Sequence, residues 1–294
     1  MEKKIGFIGI GTTGKLLAAH LIKVGHDVTI YNRTKSKCDD LIEMGAHWCS
    51  TPEDVAQNSQ ILFTMLGFPQ DVEEVYFGDH GLLQGVTTGT ILVDMTTSDP
   101  KLAQKIYEAA KKKGASALDS PIEGDDLAPR NKTLTFLVGG DELVFEEIHP
   151  LLSQMGSNVH YMGPAGSGQA TKISNQILIA NTMIGVVESL QFACKHGLDL
   201  EKVIEAIGKG TASSWSINNL GRRMIAKKYN TGFFIKHFVK DMRIALEAAE
   251  RMHLSLPGLS LVHQFYLIAM NMGMENMGYQ AIYQVFAKMN NIEC

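Results

Sequence analysis

Cysteine is scarce in this chain: Cys38, Cys49, Cys194 and Cys294 are the four among 294 residues. None forms a Cys-x-x-Cys pair, and no Cys/His spacing resembles a zinc site, so no metal is assigned. Four cysteines in a chain of this length make no disulfide framework, and a reducing cytoplasm is the expected compartment. Positive charge is not in excess either. Lys and Arg total 27 against 31 Asp and Glu, a formal charge of −4. That leaves no basic footprint for nucleic acid. The longest basic cluster, Lys111-Lys112-Lys113, suits the solvated end of a helix. No uninterrupted apolar run reaches eighteen residues, because Asn181 and Glu188 break Ile177 to Leu190, and no membrane span is expected. Lys3-Lys4 and the apolar run Ile5 to Ile10 begin like a signal peptide. Glycines punctuate that run and Lys15 follows it, which a signal peptide would not show. With 45% hydrophobic and 20% charged residues, the composition is that of a globular chain rather than a disordered or collagen-like one.

What is present changes character once. At about 150 residues per domain, the length suggests two domains. Short apolar runs alternate with amphipathic segments up to about residue 163. The runs are Ile5–Ile8, Val28–Tyr31, Ile61–Leu66, Ile91–Asp94, Ser116–Asp119, Leu134–Val138 and Val159–Tyr161. Most are apolar on both faces, and they read as buried parallel strands. Pro52, Pro69 and Pro100 each stand where a first helical turn should begin. This alternation predicts a parallel α/β sheet. Beyond Gly168 the strand signal fades and long apolar-periodic helical segments take over. We therefore expect an α/β Rossmann domain over 1–164 and an all-α domain over 165–294, joined at the glycine-rich turn 163–168.

Gly9-Ile10-Gly11-Thr12-Thr13-Gly14 matches G-x-G-x-x-G, directly after the first strand and at the opening of a helix. In that context the glycines permit a tight turn, close approach of a pyrophosphate and helix–strand packing. The helix N-terminus then presents free N–H groups to the phosphates. An NAD site expects a carboxylate about 20 residues on. The second strand instead ends in Asn32-Arg33-Thr34, with Lys35 and Lys37 behind. Arginine can pair with a 2′-phosphate, so NADP(H) is the expected cofactor, with NAD(H) as the alternative. Arg33 as a mere solvated turn residue stays open.

Lys172, Asn175 and Gln176 are spaced to share one helix face. Gly168 lies one turn earlier and leaves room for another group. The helix continues strongly apolar, and a lysine on a buried helix needs a reason. An ammonium there can donate a proton to a carbonyl oxygen as hydride arrives, and take it back in reverse.

At this point the sequence resembles the β-hydroxyacid dehydrogenase family, which includes 3-hydroxyisobutyrate dehydrogenase, tartronate semialdehyde reductase and glyoxylate/succinic semialdehyde reductase. 6-Phosphogluconate dehydrogenase is a more distant member. The resemblance covers nearly the whole chain. It rests on Gly6-Phe7-Ile8-Gly9-Ile10-Gly11, Asp119-Ser120-Pro121-Ile122-Glu123-Gly124, the Gly168-to-Gln176 segment and Lys240-Asp241. Asp94-Met95-Thr96-Thr97 adds a fifth match. It implies a Rossmann domain, a helical domain that oligomerises as a homodimer or homotetramer, and hydride transfer between NAD(P) and a small β-hydroxyacid or its semialdehyde. It implies Lys172 as general acid/base, Asn175 and Gln176 orienting substrate, and Thr97 and Lys240 at the cofactor. The candidate cofactor set is thus Gly9, Gly11, Thr12, Thr13, Gly14, Asn32, Arg33, Thr34, Leu66, Thr97, Gly168 and Lys240. The candidate substrate set is Pro121, Ile122, Glu123, Gly124, Asp125 and Trp215. Trp215 reads equally as core, and Lys240-Asp241 equally as an exposed helix pair.

One departure stands out. Where the family pattern reads Asp-Ala-Pro-Val-Ser-Gly-Gly, this chain has Glu123 for the serine and Asp125 for the second glycine. Two carboxylates near a carboxylate site repel an anionic substrate. Either both point to solvent, or specificity has moved to a neutral or cationic acceptor such as an imine, or the chain binds NADPH without turnover.

Overall fold

The computed structural model describes residues 3–230 and 232–293; Cys294 lies outside them. The chain divides into two compact units, Met1–Lys172 and Ile173–Cys294. Cys38 and Cys49 are free thiols, and Cys194 is disulfide-bonded.

In the first unit the strands are β1 (Lys4–Ile8), β2 (Asp27–Tyr31), β3 (His47–Trp48), β4 (Ile61–Thr64), β5 (Ile91–Asp94), β6 (Ser116–Asp119), β7 (Ile122–Glu123), β8 (Leu134–Gly139) and β9 (Gly156–Gly163). The helices are α1 (Thr12–Lys23), α2 (Asp39–Glu43), α3 (Pro52–Gln57), α4 (Pro69–Phe77), α5 (Leu82–Gly85), α6 (Pro100–Lys112), α7 (Ala128–Asn131) and α8 (Glu142–Met155). The sheet runs β3-β2-β1-β4-β5-β6-β8-β7, with β9 also on β8. From β3 to β6 every pairing is parallel. The uniformly parallel sheet read from the sequence needs correction beyond β6. There β8 runs antiparallel to both β6 and β7, while β9 lies parallel to β8.

Strand order reverses around β1, whose neighbours are β2 and β4. A crevice opens beyond strand C-termini at such a switch point, and ligands bind there. Both sheet faces are buried, and side chains alternate between them. Ile5, Phe7, Phe63 and Val93 pack on one side with Leu17 and Leu21 of α1. Ile8, Leu62 and Leu92 pack on the other with Val55, Val72 and Tyr76. This explains why the runs are apolar throughout rather than alternating. Pro52, Pro69 and Pro100 do open α3, α4 and α6, with caps from Thr51 to Asp54 N and from Asp99 to Lys101 N. A proline here gives up only an N–H that the helix leaves unused.

A ninth helix, α9 (Ser167–Lys195), carries the chain into the second unit. It is followed by α10 (Leu200–Ile207), a π-helical stretch Ser216–Gly221, α11 (Arg222–Ile225), α12 (Ile235–Arg251), α13 (Pro257–Asn271) and α14 (Ile282–Met289). The two compact units part at 172/173. The first turn of α9 is tied to the sheet, since Asp119 accepts from Gly166 N at 2.7 Å and Gln169 N at 2.8 Å. By length and composition alone α9 is long and apolar enough to cross a bilayer. It instead buries Ala180, Met183, Val187 and Leu190 in the core of the second unit. Its buried Gln176 and Gln191 are hydrogen-bonded to Asp241 and the Tyr283 carbonyl, as a core helix requires.

Candidate functional site

A cavity of about 570 Å³ lies beyond the C-terminal ends of β1, β2 and β4. Gly9, Gly11, Asn32, Arg33, Thr34 and Leu66 all line it, so the structure gathers half of the candidate cofactor set in one place. Gly9 has φ +97°, and a Cβ there would strike the Met65 carbonyl; a Cβ on Gly14 would strike the Gly9 carbonyl. A Cβ on Gly11 would meet nothing within 4 Å. Two glycines thus close the turn, and the middle one leaves room for a ligand. Thr12 and Thr13 begin α1, whose first turn holds no acidic residue and whose N-terminus has no side-chain cap. Its N–H groups remain available to an anion.

Asn32 serves the loop itself. Its Oδ1 accepts from Ile10 N at 3.0 Å and its Nδ2 donates to the Thr34 carbonyl at 2.9 Å. Arg33 is 87% exposed at its side chain and lies 3.3 Å from Asp71 at the start of α4. Asp71, which the sequence reading missed, also lines the cavity, as does Lys37. An exposed pair of this kind is worth at most about 1 kcal/mol and leaves the guanidinium free to turn.

Thr97 sits in a bend that Gln169 clamps from both sides. Gln169 Oε1 accepts from Ser98 N at 2.8 Å, and its Nε2 donates to the Thr96 carbonyl at 2.7 Å. Gln169 is fully buried. Below the same bend, Asp94 accepts from Thr64 Oγ1 at 2.8 Å and from Thr96 N at 3.1 Å. Thr96 Oγ1 in turn accepts from Leu66 N at 2.8 Å, tying the ends of β4 and β5 together. Burial pushes the Asp94 carboxyl up to about 6, against these hydrogen bonds. The folded chain therefore holds this proton more tightly than the unfolded one. Its contribution to stability is full below about pH 4 and is lost as pH rises through about 6. A displacement of that size corresponds to about 3 kcal/mol. Asp94→Asn should gain on the parent by about 1–3 kcal/mol between pH 4.5 and 7.5, measured by urea unfolding. A difference constant across that range would refute this.

Lys172 lies in the second turn of α9 and is buried. Its Nζ donates to Glu123 Oε1 at 2.6 Å and to Oε2 at 3.1 Å. Of the readings open for the acidic loop, the solvent-facing one does not hold for Glu123: its carboxylate faces the lysine. Asp125 does not share that direction, since its Oδ1 accepts from Leu127 N and Ala128 N at 3.0 and 2.9 Å. Pro121 and Ile122 hold the loop to β8, through Leu137 N to the Pro121 carbonyl and the Ile122–Phe136 pairing. Gly124 follows Glu123 directly, and a Cβ there would press on Ala128 and Leu134. Gly168 is needed for another close approach, because a Cβ would strike the Leu137 carbonyl and come within 2.8 Å of the Asp119 carbonyl. Burial raises the Asp119 carboxyl, against the N–H groups of Gly166 and Gln169.

In the second unit, Gln176 Nε2 donates to Asp241 Oδ2 at 2.7 Å, and Asn175 Nδ2 donates to Gln176 Oε1 at 3.3 Å. Lys240 Nζ lies 3.0 Å from Asp241 Oδ1. Asp241 is fully buried and Lys240 nearly so, so this is no exposed helix pair. Asp241 was missed as a site residue; the polar pair inside an apolar-periodic helix was the available signal. Trp215 is 47% exposed, which removes it from the core. Among the described residues no group of three or more His, Cys, Asp or Glu could hold a metal ion.

Residues 4–163 match the NAD binding domain of 6-phosphogluconate dehydrogenase. Residues 166–286 match the family described as NAD-binding of NADP-dependent 3-hydroxyisobutyrate dehydrogenase. An uncharacterized oxidoreductase of Bacillus subtilis is 48% identical, over 98% of this chain and all of that one. The probable 3-hydroxyisobutyrate dehydrogenase-like 1, mitochondrial, of Arabidopsis thaliana is 44% identical, over 98% of this chain and 86% of that one. The fold matches that of Mycobacterium tuberculosis 3-hydroxyisobutyrate dehydrogenase solved with L-serine, at TM-score 0.90, 23% identity, and 97% and 99% coverage. Two family matches over most of the chain, whole-length relatives and a glycine-lined crevice at the sheet's switch point agree: the chain belongs to the 3-hydroxyisobutyrate dehydrogenase-like family of NAD(P)-dependent oxidoreductases.

Proposed function

We propose that the chain interconverts a small β-hydroxyacid and its semialdehyde with NADP(H), and that Lys172 is the general acid/base. The observation that carries this reading is the buried Lys172 ammonium, held by Glu123 on the short strand β7. The bound nicotinamide supplies or accepts the hydride. Lys172 donates a proton to the substrate oxygen in reduction and removes it in oxidation. Gly9, Gly11 and the N-terminus of α1 hold the pyrophosphate. Arg33, with Lys37 on the same cavity, meets a 2′-phosphate and favours NADP(H) over NAD(H). Gln169 keeps Thr97 in place for the cofactor. In the second unit Asp241 fixes Gln176, and with it Asn175, for orienting the substrate.

Exposed Leu178, Phe192 and Leu261 on α9 and α13 support a homodimer or homotetramer built through the helical unit.

The test follows nicotinamide absorbance while NADPH or NADH is mixed with glyoxylate and the tartronate, methylmalonate and succinate semialdehydes. Turnover of at least one, faster with NADPH, is expected. Arg33→Ala should narrow the NADPH-to-NADH ratio. Equal use of both cofactors by the parent would sink the NADP(H) assignment, and no turnover of any acceptor would sink the reaction.

A further inference from the structure

A buried acid that gives up a proton in one turnover must be reloaded before the next. Lys172 is placed that way, with its side chain only 9% exposed. Its Nζ donates to Glu123 Oε1 at 2.6 Å and to Oε2 at 3.1 Å. Glu123 is more open, with 27% of its side chain exposed. One carboxylate therefore meets the buried ammonium and is itself reached by water. Its backbone is fixed, because Glu123 of β7 pairs in register with Thr135 of β8. Asp125, the other acid of the loop, takes no part, since its carboxylate is spent on backbone N–H groups at the start of α7.

We propose that Glu123 is the proton relay between Lys172 and solvent. This rests on Lys172 being the acid/base, as read above. A carboxylate accepts hydrogen bonds while ionised and donates one once protonated, so it can take a proton from one side and give it to the other. Both of its oxygens stand within hydrogen-bond reach of Nζ. A proton taken up on either oxygen is passed on without a swing of the side chain. Direct exchange between Nζ and water is hindered by the burial of Lys172, and the carboxylate supplies the short way round.

The protons balance with water as the co-reactant. In reduction the carbonyl carbon gains a hydride and its oxygen takes one proton from Lys172, which is left as a neutral amine. Glu123 accepts a proton from water or a buffer acid and becomes a carboxylic acid. Its O–H bond then breaks toward the lone pair on Nζ, which restores both the ammonium and the carboxylate. The net uptake is one solvent proton per turnover, which is what reduction by a hydride requires. In oxidation each transfer runs in reverse and the proton leaves to water.

Two measurements on the full-length chain test this, each on the parent, Glu123→Gln and Glu123→Ala. Stopped-flow absorbance would follow NADPH with glyoxylate and the semialdehydes above, in dilute buffer. Neither variant carries an ionisable group at this position, so reloading should fail while the first turnover, made with Lys172 already charged, goes through. The first turnover should stay within about threefold of the parent, and later ones should slow by about tenfold or more. A merely structural role would slow first and later turnovers alike. Nuclear magnetic resonance of isotope-labelled protein, without substrate or cofactor, would read how fast the Lys172 ammonium exchanges its hydrogens with water. The relay predicts exchange several-fold slower in both variants, whereas loss of a simple ion pair predicts faster exchange. Unchanged or faster exchange overturns the proposal, and so do first and later turnovers slowed alike or a steady-state rate equal to that of the parent. Glu123→Ala decides if Glu123→Gln fails to fold. If no acceptor turns over, the reaction assigned above falls, and exchange still decides the relay. If Lys172→Met completes a first turnover at the parent rate, the lysine reading falls and the relay with it.

Discussion

Lys172→Ala is expected to lower kcat by about 10²- to 10⁴-fold, the usual contribution of a positioned proton donor. NADPH affinity should stay within about threefold of the parent, because Lys172 is not among the residues around the nucleotide cavity. The substitution removes the ammonium that pairs with Glu123. It does not strand Glu123 in a dry interior, since 27% of that side chain remains exposed. Lys172→Met, which keeps the aliphatic stem and its packing, should be equally inactive. Steady-state rates beside fluorescence titration of NADPH separate the two effects. An alanine variant that retains a rate near that of the parent removes Lys172 from the mechanism.

Asp241→Ala should be the most destabilising single change in the second unit's polar network, by about 3–5 kcal/mol. Asp241 is fully buried, accepts from Gln176 Nε2 at 2.7 Å and lies 3.0 Å from Lys240 Nζ. Removing it leaves a nearly buried ammonium without this counter-charge and a buried amide without its acceptor. Breaking one side of such a pair is far more harmful than replacing both partners. Asp241→Asn keeps an acceptor for Gln176 and should fall between the two. Denaturant unfolding followed by far-ultraviolet circular dichroism reads the order. Asp241→Ala within about 1 kcal/mol of the parent would mean that this network is not needed for the fold.

Much of the fold could be read from the chain because local signals and global structure agree. Doubly buried strands must be apolar on both faces, and residues 5–8 and 91–93 are. Prolines start helices where no backbone donor is lost, and Pro52, Pro69 and Pro100 do so. The strands β3 and β7, two residues each, escaped because two residues carry no period. The direction of β8 escaped because alternation is the same in either direction; only its pairing with β6 and β7 fixes it. Within the helical part, residues 216–225 form a π-helical stretch and a short α-helix, which apolar periodicity alone does not separate. At the site, the glycine motif was legible since its role is local. The Lys172–Glu123 pair spans 49 positions, and no spacing rule reaches across that distance. Asp119 and Gln169 were quoted inside motifs without a role, because their partners at 166 and at 96–98 are known only once the sheet has formed.

Two helices that begin beside the sheet, α1 and α9, are treated in opposite ways. Asp119 places a carboxylate across the opening of α9 and fills it with two hydrogen bonds. The opening of α1 carries no acid and no side-chain cap. Both helices offer the same partial positive charge to an anion, and left alike they would compete for one diphosphate. By filling one with its own oxygens, the chain leaves the opening of α1 to the anion. An aspartate of the fold thereby helps to decide where on this sheet the phosphates of a dinucleotide settle.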